Sequence, residues 1–372
     1  MIPRIRQTLL HVFPTFAVGG AQMRLAALAN HFGDEFAHVV LAMDGRTDCR
    51  ERFDPRVHLT FPRIGLKPRD TIGTIFRFRR LLSATRPDRL ITYNWGSIEC
   101  AMANELRRTP HIHIEDGFGP EEADKQMRRR VLTRRFVLRR STVVLPSKTL
   151  YRLACDVWKL NPVRLRHIPN GIDCARFGAA DIAAYDWSGG GPIIGTVAAL
   201  RPEKNLMRLL DAFRWVRERM ECRLLIAGDG PERSRLEARA VELGIGGDVR
   251  FAGAVGDTER IYAALTVFVL SSDTEQLPTT VIEAMAAGLP VAGTNVGDVA
   301  EMVAPPNQPY VTPLNAVPLG QAILDLLKNP AAARSVGAAN KDAARAAFGQ
   351  DRMFAAYRTL FREELKFAAD PP

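Results

Sequence analysis

The sequence predicts an α/β protein built from two doubly wound domains, each with a mainly parallel sheet. Two observations carry this. Short apolar runs alternate with longer amphipathic segments from end to end, the pattern of strands joined by crossover helices. A Gly-rich stretch, Trp187-Ser188-Gly189-Gly190-Gly191-Pro192, interrupts that alternation near the middle of the 372 residues and reads as a hinge. An apolar fraction of 47% gives each half enough material for its own core.

In the first half, strands are predicted at 8–13, 36–42, 57–61, 89–93, 111–115, 143–146 and 164–168, with helices at 21–32, 72–84 and 132–140. In the second half, strands are predicted at 193–198, 223–227, 249–252, 267–270 and 291–293. Leu206, Leu209, Leu210, Phe213 and Val216 share one face of a helix over 206–219, and helical patterns close the chain from 316 to 368. The expected domains are therefore 1–178 and 190–349, with a hinge at 179–189 and a terminal helix, 350–368, packing back on the first domain. Ligands of such folds bind beyond the carboxyl ends of the strands, so a cleft between facing domains is the expected site.

Composition removes several function classes. Five dispersed cysteines form no disulfide framework and suit a reducing compartment. No apolar run is long enough to span a membrane, and the amino-terminal run ends in Pro14 without a small-residue cleavage pattern, so a first strand is expected there. A cytoplasmic location follows as the expectation, with peripheral attachment to the inner membrane face as its extension.

Charge is uneven. Residues 1–170 hold 30 basic and 16 acidic residues, against 21 and 25 in 171–372. The densest basic run, 125–140, includes Arg128, Arg129, Arg130, Arg134 and Arg135 and contains no acid. It is expected to present a membrane-facing or acceptor-facing surface, either for an anionic partner or as a merely solvated helix. Only Phe136 interleaves as an aromatic, so nucleic acid is not an expected partner.

Candidate chemistry sits in strand-terminal loops. Gly19 and Gly20 open a helix whose free N–H groups suit an anion. Arg201 and Lys204 form a cation pair able to clamp a diphosphate. Gly228-Asp229-Gly230-Pro231 ends another strand as a turn before a Pro-initiated helix. Glu275 lies in a loop and Glu283 in the first turn of the helix after it, where carboxylates accept hydrogen bonds from sugar hydroxyls; Thr280-x-x-Glu283 also fits a capping box. Phosphate-loop, dinucleotide, serine-hydrolase and zinc-protease patterns are absent, as is any Asp-x-Asp, so no metal and no cofactor is expected.

Glu275 and Glu283, separated by seven intervening residues and followed by Ala-Met-Ala-Ala-Gly288-Leu-Pro290-Val, resemble the signature of the retaining glycosyltransferases of family 4, which have the GT-B fold. Asn170-Gly171-Ile172-Asp173, Arg201-x-x-Lys204-Asn205 and Gly297-Asp298-x-x-Glu301 follow in that family's order. The resemblance implies transfer of a hexose from a UDP- or GDP-linked sugar to a glycan or lipid-linked acceptor, in bacterial surface polysaccharide or lipopolysaccharide synthesis. Arg201, Lys204, Gly19 and Gly20 would then hold the diphosphate. Glu275, with Leu277, Pro278 and Thr279, would hold the sugar, and Glu283 the ribose. Gly228 and Asp229 would lie near the base. The family's catalytic histidine region matches His111-Ile-His113-Ile-Glu115-Asp116, leaving Asp116 and His113 as alternative catalytic partners. Gln276 replaces a usual Gly, and Asp298 stands where Gly-Gly is more common. Rival readings are a nucleotide-sugar epimerase of the same fold and a non-enzymatic anion-binding protein.

Overall fold

The computed structural model describes residues 6–66, 70–118, 122, 126–179, 185–187 and 191–363. Residues 180–184, 188 and 189 of the expected hinge lie outside them, as do Gly190, Lys125 and residues 364–368 of the expected terminal helix. The chain divides into two compact units, one of Met1–Ile168 with Phe354–Pro372 and one of Pro169–Met353.

The first unit is built on seven parallel strands: β1 (Gln7–Phe13), β2 (Phe36–Ala42), β3 (His58–Thr60), β4 (Arg89–Tyr93), β5 (His111–Ile114), β6 (Thr142–Leu145) and β7 (Leu165–His167). Their order is β3-β2-β1-β4-β5-β6-β7, reversing direction of winding at β1. Helices α1 (Gly20–Phe32), α2 (Thr71–Thr85), α3 (Ile98–Asn104), α4 (Arg128–Val137) and α5 (Lys148–Asp156) make the crossovers. Burial is complete along β4, β5 and β6 and covers Leu9–Phe13 of β1, so these strands have both faces covered and even the alternating His111-Ile112-His113-Ile114 of β5 lies wholly inside.

The second unit opens with α6 (Cys174–Gly178) and holds β8 (Ile193–Val197), β9 (Arg223–Ala227), β10 (Val249–Gly253), β11 (Val267–Leu270), β12 (Val291–Thr294) and β13 (Val311–Thr312), in the order β10-β9-β8-β11-β12-β13. Its helices are α7 (Leu206–Arg217), α8 (Arg233–Glu242), α9 (Thr258–Ala264), α10 (Thr279–Ala286), α11 (Val299–Met302), α12 (Ala316–Lys328) and α13 (Pro330–Phe348). The predicted stripe of α7 is its buried face: Leu206, Leu209, Leu210, Phe213 and Val216 all lie in the core.

The junction differs from the expected hinge. It falls at Ile168/Pro169, because residues 169–178 pack with the second unit: Cys174 and Phe177 are buried in its core, and Phe177 meets Tyr262 edge-on at 5.6 Å. Backbone bonding agrees, since Ile172 N–H donates to the Phe348 carbonyl at 2.9 Å. Helix α14 (Gln350–Arg362) returns the chain to the first unit. There Phe354, Tyr357 and Phe361 are buried, Phe354 stacks on His31 at 4.1 Å, and Arg362 pairs with Glu35 at 2.6 Å.

Histidines lie inside the first sheet. His11 Nδ1 is 3.0 Å from the Tyr93 hydroxyl and its Nε2 is 3.1 Å from His38 Nδ1. His111 sits between Thr92 Oγ1 at 2.8 Å and Ser141 Oγ at 2.7 Å. Burial holds His38 down at about 4, and burial with the neighbouring His113 holds His111 at about 3. The folded state therefore binds fewer protons than the unfolded chain. Its stability is present above pH 6.5 and is lost as pH falls from there toward 4 and 3, at about 1.4 kcal/mol per pH unit for each histidine. Denaturation by urea at pH 7.5, 6 and 5 is expected to show a falling midpoint, and His111→Asn a shallower fall.

Candidate functional site

In the second unit the loop after β11 and the turn before α7 converge. Asn205, left-handed at φ 42°, caps α7 by accepting from Arg208 N–H at 3.1 Å, and its amide donates to Asp273 at 3.0 Å. Arg208 donates to the Ser271 carbonyl at 2.7 Å and pairs with Asp273 at 2.6 Å. The two loops are thereby clamped together, and the clamp delivers one contact: Lys204 Nζ donates to Glu275 Oε1 at 2.5 Å. Ser272 Oγ donates to the same oxygen at 2.7 Å, while Ser271 Oγ donates to the Lys204 carbonyl at 2.9 Å. A cation and a carboxylate, mostly withdrawn from water, thus stand side by side just ahead of α10.

The Glu275 loop is braced from behind. Gly297 has φ 54°, and a Cβ there would lie 2.4 Å from the Glu275 carbonyl oxygen. A glycine is required on both counts, for conformation and for room. Asp298 N–H completes the brace, donating to the Gln276 carbonyl at 3.1 Å. Leu277 and Pro278 are buried, and Thr279 begins α10 with Pro278 as its cap. The first N–H groups of that helix have no intrahelical acceptor.

Because the helix starts after Pro278, Glu283 does not close a capping box. It accepts from the Tyr262 hydroxyl at 2.7 Å instead. Burial raises its carboxyl to about 7, against the opposing pull of Tyr262 and Arg176. Arg176 itself is bonded to Glu259 at 2.5 Å.

Arg201 is placed differently from Lys204. Its side chain is 63% exposed and its nearest acid is Glu203 at 3.9 Å. The Gly228-Asp229-Gly230 turn packs on the chain leading to it: a Cβ on Gly228, at φ 140°, would fall 1.8 Å from the Ala198 carbonyl oxygen. Asp229 O accepts from Leu200 N–H at 3.0 Å, and Arg233 lies 3.5 Å from its carboxylate.

In the first unit, Gly19 caps α1 in extended conformation, and a Cβ on Gly20 would meet nothing within 4 Å. Packing therefore does not require Gly20. Asp116 follows β5 and is gripped by the fork of Arg24, at 2.6 and 2.9 Å, while its N–H donates to Asn94 Oδ1 at 2.7 Å. One-fifth of its side chain stays exposed. His113 has no exposed surface: Nδ1 faces Thr92 Oγ1 at 2.8 Å and Nε2 faces Glu115 at 3.5 Å. Of the two catalytic alternatives, Asp116 is reachable and His113 is a sheet-interior residue.

The basic run needs a correction. Arg134 is completely buried, bonded to Glu115 at 3.2 Å and Glu122 at 3.1 Å, with Trp95, Phe118 and Trp158 about its guanidinium. Arg130 is bonded to Glu122 at 3.1 Å. Neither is a surface residue, because carboxylates from outside the run draw one face of α4 inward. Arg128, Arg129 and Arg135 remain exposed, together with Leu132 and Phe136 on the same arc of the helix.

Sequence reasoning missed the residues that hold the candidates in place: Ser272 and Asp273 for Glu275 and Lys204, Tyr262 for Glu283, Arg24 for Asp116. Ser272 and Asp273 lie in the same motif and were within reach of a loop-capping argument. Tyr262 and Arg24 act across 21 and 92 residues and leave no local signal. Among the described residues, no group of three or more His, Cys, Asp and Glu is placed to hold a metal ion, and no helix is long and apolar enough to cross a membrane.

Comparison with known proteins places this geometry. Residues 179–343 match the family Glycosyl transferases group 1, and residues 18–176 match Glycosyltransferase Family 4. A lipopolysaccharide core biosynthesis glycosyltransferase of Rhizobium meliloti is 35% identical over 130 residues, covering 35% of this chain and 37% of that protein. A GDP-mannose-dependent alpha-mannosyltransferase of Mycobacterium tuberculosis is 32% identical over 146 residues, covering 38% and 36%. The matched stretches span less than half the length of these curated relatives. Among solved structures, a glycosyltransferase from Rickettsia africae superposes with TM-score 0.81 at 16% identity, covering 98% of this chain and all of that one. The Anabaena protein HepE, crystallised with UDP and glucose, gives 0.80 at 17%, covering 95% and 99%. The two Rossmann-like sheets are of the GT-B class that the sequence predicts.

Proposed function

The chain belongs to the glycosyltransferases of group 1 and family 4, and from that premise we propose that it moves a hexose from a nucleotide-diphosphate sugar to a glycan or lipid-linked acceptor with retention of configuration. The observation that carries this reading is the Lys204–Glu275 pair, held by Ser272 beside the amino end of α10. Lys204 and the free N–H groups of Thr279 and Thr280 suit a diphosphate; Glu275 suits the hydroxyls of the sugar attached to it. Glu283 suits a ribose, and UDP in the Anabaena neighbour supports a nucleotide as ligand. Gly20, which packing does not require, leaves backbone open to an anion.

In the proposed reaction the bond from the anomeric carbon to the diphosphate oxygen breaks through an oxocarbenium-like state. Lys204 and the helix N–H groups stabilise the charge gathering on the leaving diphosphate. An oxygen of that diphosphate takes the acceptor's proton on the face it vacates, so the new bond forms on that same face. Asp116, oriented by the fork of Arg24, keeps part of its carboxylate open to an acceptor.

The test is donor binding as a function of pH. Thermal melts with UDP-glucose, GDP-mannose and dTDP-glucose are expected to rise with at least one donor. The raised Glu283 carboxyl gives a sign: it is mostly protonated at pH 6 and mostly ionised at pH 8. If ribose needs the ionised form, donor affinity rises about ten-fold across that interval, and Glu283→Gln removes the rise. A sugar-diphosphate diester does not titrate there, so the donor adds no slope of its own. A panel without any shift overturns the reading, and conversion of labelled donor without acceptor replaces it with an epimerase.

We further infer that the exposed arc of α4 meets an anionic membrane surface. Arg128, Arg129 and Arg135 supply charge worth about 1 kcal/mol each near such a surface, and Leu132 and Phe136 supply apolar contact. Sedimentation with vesicles containing phosphatidylglycerol is expected to fall several-fold in Leu132→Ser/Phe136→Ser, and not with neutral vesicles.

A further inference from the structure

A cavity of about 590 Å³ opens at the carboxyl ends of β2 and β3 in the first unit, lined by none of the residues assigned above. Val40, Leu41, Met43 and Ile64 give it an apolar part, and Phe61, Arg50 and Arg63 line it as well. The volume lies within the range of sites for small organic ligands, and the carboxyl ends of parallel strands are where such sheets bind them.

These two arginines are set apart from their neighbours. Arg46 pairs with Asp48 at 2.9 Å and Arg56 with Asp54 at 2.9 Å. Among the described residues, Arg50 and Arg63 have no carboxylate partner; the Arg50 guanidinium lies 5.9 Å from the Phe61 ring centre. Asp44, which also lines the cavity, is turned to its own loop and accepts from Arg46 N–H at 3.0 Å. Two arginines without a carboxylate partner among the described residues thus line one cavity, beside an aromatic ring on which a sugar ring can lie. The site also adjoins the Gly19–Gly20 loop. Phe61 packs on Phe16 at 5.8 Å, and the Phe16 carbonyl accepts from Cys49 N–H at 3.0 Å.

We propose that this cavity binds an anionic sugar, with Phe61 under the ring and Arg50 and Arg63 on its phosphate or carboxylate. Its purpose as an acceptor subsite rests on the transferase reading; its occupancy by an anionic sugar does not. An acidic or phosphorylated residue of a growing glycan has this chemistry, and a step that phosphorylates or oxidises a sugar must then precede transfer.

The experiment is titration calorimetry on the full chain without donor, using glucose 6-phosphate, glucuronate, glucose and inorganic phosphate as probes. Glucose 6-phosphate or glucuronate is expected to bind at least ten-fold more tightly than either glucose or phosphate. Arg50→Gln/Arg63→Gln is expected to lose that preference, and Phe61→Ala to weaken the sugar probes without affecting phosphate. Melting with a nucleotide-sugar donor, run on the same variants, keeps the two readings separable: it stays at the wild-type value if only the cavity is affected. Equal binding of phosphate and glucose 6-phosphate, or undiminished binding by the double variant, overturns the proposal even where donor binding stands.

Discussion

Replacing Lys204 with alanine lowers the rate of sugar transfer about 10²- to 10³-fold, the scale on which a preorganised charge at a leaving group acts. Replacing Arg201 lowers it about ten-fold or less. The sequence offers the two cations as an equivalent pair, but their surroundings are unlike. Lys204 is mostly withdrawn from water and bonded to Glu275 at 2.5 Å, with Ser271 on its backbone carbonyl and Ser272 on the Glu275 carboxylate, so its charge is preorganised and acts in a lowered dielectric. Arg201 is 63% exposed with an acid only at 3.9 Å, and solvent screens it. Turnover at saturating donor, measured for Lys204→Ala, Lys204→Arg and Arg201→Ala, checks the order. Lys204→Arg is expected to fall between the other two, since it keeps the charge but not the ammonium's fit against a single carboxylate oxygen. Equal losses at 201 and 204 contradict the assignment.

What the sequence made legible was whatever is local. Strands β2, β4, β9 and β11 fall on the predicted limits, because a parallel strand covered over most of its length is a bounded, mainly apolar run. The two-residue β13 has too little sequence to register, and α4 begins at Arg128 rather than 132, since its first turn carries three arginines and no apolar residue to start a period. The errors of assignment are non-local. Residues 169–178 were grouped with the first domain by position, yet Phe177 belongs to the core that holds Tyr262. Glu283 fits a capping box with Thr280 as the cap, but Pro278 takes the cap two residues earlier and Tyr262 takes the carboxylate. His113 and Asp116 were indistinguishable in sequence; only the sheet interior on one side and Arg24 on the other separate them.

Arg134 shows the largest consequence of such a hidden partner. The run from 125 to 140 has no acid in it, so charge counting makes every arginine there a surface residue. The fold instead buries Arg134 against Glu115 and Glu122, whose side chains are likewise without exposure. Arg134→Ala leaves buried carboxylates without their fork of donors, and the expected loss is about 3–5 kcal/mol in urea denaturation at pH 7.5. Arg135→Ala, one residue on and exposed, is expected to change stability by no more than about 0.5 kcal/mol. The pH dependence identifies the cause. In the intact protein burial opposes ionisation of Glu122, but Arg134 and Arg130 outweigh it and hold the carboxyl below its usual range. That stability is present above pH 4.5 and is lost as the carboxyl protonates at lower pH. In Arg134→Ala burial gains on the remaining Arg130, the Glu122 carboxyl rises, and protonation relieves the variant as pH falls. The gap between the two proteins is therefore expected to narrow from pH 7.5 to pH 5, whereas a simple packing defect at Trp95, Phe118 and Trp158 would leave it unchanged.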